Sequence, residues 1–119
     1  MVAAAIPPAH SSNVVVWLDH RAARVARRGP SGEPVVREIR RGALAEVAFL
    51  VDIIHEIGSQ ERIVVLGDRV ARLALEREYV SLYQRPDRLV DVESTAPGTA
   101  QELSERLRQA DLADPGPTA

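Results

Sequence analysis

Val14-Val15-Val16-Trp17-Leu18-Asp19-His20-Arg21-Ala22-Ala23-Arg24-Val25-Ala26-Arg27-Arg28 is the stretch that decides the fold of this chain. The five consecutive apolar residues Val14 to Leu18 suit a strand covered on both faces, as at the centre of a helix-flanked sheet. After Asp19-His20 the chain turns into a segment that alternates small or apolar residues with arginine, the pattern of a strand that is partly wet. A hairpin is therefore predicted, with strands at 13–19 and 22–28.

Working outward, Gly29-Pro30-Ser31-Gly32 is a turn cluster and a third strand is expected at about 34–41. After Gly42 the period becomes helical. Leu44, Val47, Ala48, Val51 and Ile54 form one stripe, widened by Leu50, Ile53 and Ile57, which predicts a deeply buried helix stopped by Gly58. Arg62 to Leu66 reads as another two-sided strand. Gly67-Asp68 follows, with Asp68 as the N-cap of a helix over 69–83 that carries Val70, Leu73, Ala74 and Leu82 and is stopped by Pro86. A last strand at about 88–93, a turn at Ala96-Pro97-Gly98 and a helix opened by the capping box Thr99-Ala100-Gln101-Glu102 complete the order, with Leu103 and Leu107 beneath that helix. The class is α/β, with elements βββαβαβα. An antiparallel meander joined to right-handed strand–helix–strand units gives a five-stranded mixed sheet with helices on its faces.

At 119 residues the chain has room for one domain. It is expected over 13–112, between a flexible leader at 1–12 and a flexible tail at 113–119. Aromatic residues make up only 3% of the chain, so platforms for stacking bases are scarce. With no cysteine there is no disulfide scaffold, thiol nucleophile or cysteine zinc site, and the cytoplasm is the expected compartment. No export signal or membrane anchor is legible, so no membrane partner is expected. There is neither a G-x-G-x-x-G nor a Walker pattern, and no cofactor is predicted. All fifteen basic residues are arginine, which marks no single site.

Charge is distributed unevenly. Between residues 20 and 41 seven arginines face two glutamates; from Pro86 onward seven carboxylates face three arginines. Arg24, Arg28, Arg37, Arg40 and Arg41 form the candidate binding set, as a basic strip along paired second and third strands. Such a strip suits RNA phosphate, and equally protects a sheet edge from aggregation. An acidic strip of Asp87, Asp91 and Glu93 could instead meet it across a homodimer.

Asp19, His20 and Asp68 are the candidate catalytic residues. Asp19 and Asp68 end two central strands and could share a divalent metal, with Glu46 or Asp52 completing the site; a turn cap and a helix N-cap account for the same two residues. His10, His20 and His55 are too scattered for zinc, and His55-Glu56 has no second histidine at metalloprotease spacing. No metal site is assigned.

The element order resembles the ribonuclease H-like layout. Val14 to Arg28, Ile63-Val64-Val65-Leu66-Gly67 and Leu89-Val90-Asp91-Val92-Glu93 resemble more narrowly the middle domain of the archaeo-eukaryotic release factor and pelota superfamily. The nearest resemblance is to its small bacterial single-domain relatives of the translational machinery type, which begin with a strand ending Trp-hydrophobe-Asp-His, as Trp17 to His20 does. The resemblance implies a translation-associated domain that binds RNA, the ribosome or a protein partner. Release factors of that superfamily carry a Gly-Gly-Gln loop, and this chain has no such tripeptide. Relatives also tend to have Gly-Pro after the fourth strand and a lysine one turn later; here Asp68 follows Gly67 and Arg72 stands near the lysine position. The expected function is a non-catalytic domain binding through its arginine-bearing edge. The alternatives are a metal-dependent ribonuclease H-like phosphodiester hydrolase and a purely structural homo-oligomer.

Overall fold

In the computed structural model, which describes residues 13–58, 60–93 and 98–113, the apolar run forms β1 (Asn13–Leu18), the central strand of a five-stranded sheet. The other elements are β2 (Ala22–Arg28), β3 (Pro34–Arg40), α1 (Glu46–Ile57), β4 (Arg62–Gly67), α2 (Arg69–Tyr83), a short 3-10 turn at Pro86–Arg88, β5 (Leu89–Asp91) and α3 (Ala100–Ala113). Strand order is β3-β2-β1-β4-β5. The first three strands are antiparallel, and β4 and β5 add in parallel on the other side of β1. This is the mixed α/β sheet of a ribonuclease H-like arrangement. The leader at 1–12 with His10, Ala96-Pro97 of the expected turn, and nearly all of the tail lie outside the described residues.

Alternation along β1 explains why it is apolar throughout. Val14, Val16 and Leu18 face α1 and α2 with Ala23, Val25, Ile63 and Val65, while Val15 and Trp17 face α3 with Ala26, Leu66, Leu103 and Leu107. Both faces of β1 are packed against helices; each fully buried aliphatic side chain contributes roughly 1.5–3 kcal/mol.

The helices are present where expected, and Leu103 and Leu107 are buried beneath α3 as expected; the departures lie in part of α1 and in most of α2. In α1 the expected Leu50, Ile53, Ile54 and Ile57 are buried together with Phe49, whereas Val47 and Ala48 are exposed, as is Leu44 just before the helix. In α2, Ala71, Arg72, Leu75 and Tyr79 are buried, and Val70, Leu73 and Leu82 are exposed. Both helices carry more apolar residues than one face holds, so counting spacings selects a stripe without fixing which one meets the sheet. The last strand is shorter than expected, because Pro86–Arg88 takes a 3-10 turn and pairing with β4 covers only Leu89, Val90 and Asp91. Among the described residues no helix is long and apolar enough to cross a membrane.

Gly67 and Gly98 are required by close approach. At Gly67, φ is +111° and a Cβ would lie 2.1 Å from the Leu18 carbonyl oxygen. At Gly98 a Cβ would lie 2.3 Å from the Trp17 ring, so the chain leading into α3 passes flat against that indole.

Candidate functional site

The β1–β2 turn, the end of β3 and the loop after β4 converge at one end of the sheet, beyond the carboxyl ends of the parallel strands β1 and β4. That edge is where open α/β sheets present their sites. Asp19 closes the hairpin: its backbone N–H donates to the Ala22 carbonyl at 3.0 Å, and its Oδ1 accepts from Arg21 N at 2.8 Å and Ala22 N at 2.9 Å. Asp68 caps α2, accepting from Ala71 N at 3.0 Å through Oδ2. The same oxygen stands 3.4 Å from His20 Nε2, a contact that spacing alone does not reveal because it joins the end of β1 to the end of β4.

Both aspartates are thus engaged by backbone N–H groups, as turn and cap chemistry requires. Among the described residues no three His, Asp or Glu side chains gather as a metal site, so Glu46 and Asp52 do not join Asp19 and Asp68.

The five candidate arginines do not form one strip. Register places Arg24 opposite Glu38 and Arg40 opposite Ala22, so Arg24, Arg28 and Arg40 share the α3 face, while Arg37, opposite Val25, belongs to the α1 face. Two of them have internal work. Arg24 donates to the Gly98 carbonyl at 2.5 Å and lies 5.9 Å from the centre of the Trp17 ring, and Arg28 pairs with Asp111 at 2.7 Å. Arg27, outside the candidate set, pairs with Glu56 at 2.9 Å.

What remains open is a cleft of about 710 Å³ lined by His20, Arg21, Glu38, Arg40, Arg41 and Leu44, among others. It forms because the register Ala22↔Arg40 sets the hairpin turn beside the end of β3, and the Arg41 N–H donates to the Arg21 carbonyl at 2.8 Å. The Arg40 side chain is 79% exposed, and its Nε stands 3.6 Å from a Glu38 carboxylate oxygen. Arg41 Nε donates to the Leu44 carbonyl at 2.9 Å, which anchors that guanidinium at the cleft. Three guanidiniums against one carboxylate make the cleft an anion site in electrostatic terms.

A second cluster escaped the sequence reading. Arg72 is only 4% exposed and pairs with Asp91 while donating to the Val92 carbonyl at 3.1 Å. Glu76, one turn further along α2, is pushed up to about 7, first by burial and then by its hydrogen bond to Asp91 and that residue's charge; Arg72 opposes the shift. Asp91 therefore belongs to an internal network and not to a free acidic strip. The sequence signal was an arginine and a glutamate at i and i+4 on α2, indistinguishable there from a solvated pair.

Among solved structures the chain is similar to Pelota from Archaeoglobus fulgidus, with a TM-score of 0.58 at 13% identity. The similarity covers 86% of this chain and 35% of that one, so the chain spans about a third of Pelota's length. At this identity the likeness is one of fold alone. No protein-family model matches the chain, and no curated protein matches it.

Proposed function

We propose that this chain is a non-catalytic, translation-associated domain that binds RNA through the phosphate backbone, with Arg21, Arg40 and Arg41 as the contacting residues. The observation that carries the reading is the cleft in which those three guanidiniums outnumber a single carboxylate. The Pelota-like fold supports the translation setting. Arg24 and Arg28, whose charges serve the fold, and Arg37, on the other face of β3, fall outside the contacting set.

Ribosome co-sedimentation and binding of labelled single-stranded RNA over a salt series test this. Three phosphate contacts predict a log–log salt slope of about −2 on single strands. Arg40→Glu with Arg41→Glu should weaken binding and flatten that slope. Unchanged association of the double variant at low salt overturns the reading.

A further inference from the structure

Glu38 is out of place in a surface that only holds phosphates. Its carboxylate lines the same cleft as Arg21, Arg40 and Arg41, where it repels a phosphodiester and lowers the affinity the arginines provide. The two arginines beside it keep ion-pair distance. Arg24 Nη2 lies 3.7 Å and Arg40 Nε 3.6 Å from Glu38 Oε2, contacts longer than hydrogen bonds. Yet its place is set, with 36% of the side chain exposed: Glu38 sits on a strand, directly opposite Arg24, which is itself anchored to the Gly98 carbonyl and the Trp17 ring. A positioned carboxylate with lone pairs to spare is an acceptor waiting for a donor.

We infer that Glu38 makes the cleft selective for ribonucleotide over deoxyribonucleotide chains by accepting a hydrogen bond from a ribose 2′-hydroxyl, and this rests on the phosphate-binding reading above. The 2′-hydroxyl is the donor chemically nearest to a phosphate, since its carbon adjoins the one bearing the 3′-phosphate. Glu38 in turn stands beside a guanidinium that would hold such a phosphate, that of Arg40. The hydroxyl donates, the carboxylate accepts, and no covalent bond is made or broken. A chain lacking the 2′-hydroxyl leaves only the repulsion.

The test compares short oligo-uridine RNA with oligo-deoxyuridine DNA by fluorescence anisotropy at low salt. These probes share their base, lack exocyclic amines and differ only at the 2′ position. The wild-type chain should prefer the RNA by about tenfold, as expected of a hydrogen bond to a charged group. Glu38→Ala should bind the DNA more tightly than the wild-type chain does and should bind both probes equally well. Glu38→Gln, which keeps an acceptor and removes the charge, should also tighten the DNA while retaining part of the preference. Equal binding of the two probes by the wild-type chain, or an undiminished preference in Glu38→Ala, overturns the inference and leaves the phosphate-binding reading standing. If neither probe binds, that reading fails and carries the inference with it.

Discussion

Arg28 Nη2 lies 2.7 Å from Asp111 Oδ2, so an arginine of β2 is tied to the last turn of α3. The other oxygen of Asp111 accepts from Asn13 Nδ2 at 2.8 Å, which brings β1 into the same contact. This carboxylate locks α3 onto the two strands that form its floor. Arg28 of β2 is thus tied into the fold, whereas Arg40 at the end of β3 is 79% exposed, although the sequence spells them alike.

Arg28→Ala removes an ion pair in which both side chains are about three-quarters buried, at 24% and 21% exposure, and leaves Asp111 without its cation. A loss of about 1 kcal/mol is expected after allowing for solvent screening. Arg40→Ala, at 79% exposure, should change stability by less than about 0.5 kcal/mol. Urea unfolding of the two variants checks the division, and equal effects would refute it.

Gly67 is held by geometry twice over, by its positive φ and by the Leu18 carbonyl where a Cβ would stand. Gly67→Ala should cost about 1–3 kcal/mol, at the upper end because backbone must shift. Gly32, with φ +87° and open space around it, is the matched control: alanine there meets only the backbone penalty, about 1 kcal/mol. Thermal unfolding should rank Gly67→Ala below Gly32→Ala.

Periodicity located α1 and α2 but selected the wrong stripe in α2, and the reason is physical. In α2, Ala71, Leu75 and Tyr79 recur every fourth residue and all are buried, while Val70 and Leu73 repeat at an equally helical spacing and remain exposed. Only the sheet's position decides between them. Leu75→Ala should cost about 2–5 kcal/mol and Val70→Ala less than about 0.5 kcal/mol. Comparable losses in chemical denaturation would mean that α2 is rotated from the orientation described.

β1, by contrast, was legible because five consecutive apolar residues bounded by turn signals suit a strand buried on both faces, and Asp19 and Asp68 were legible as caps because such residues act on their own local backbone. The cleft was not. It depends on Ala22 pairing with Arg40, a register that no local signal announces, and Glu38 acquires its place only once Arg24 lies opposite. The same holds for Asp91, whose partners Arg72 and Glu76 come from a different element.

Glu76 should make stability depend on pH near neutrality. Its ordinary value of 4.5 is raised to about 7 in the fold, so the fold favours the neutral carboxyl. The contribution of that group is complete below the unfolded value and is lost as pH rises through about 7, when a second charge appears beside Asp91. Urea midpoints should therefore fall between about pH 5 and about pH 8 in the wild-type chain, by a part that Glu76→Gln removes, since glutamine is neutral throughout. Asp91→Asn removes the like charge and frees the Arg72 guanidinium to pair with Glu76, so the carboxyl-carbon titration of Glu76 should move to lower pH in that variant. A fall in stability that persists unchanged in Glu76→Gln would place its origin in another group.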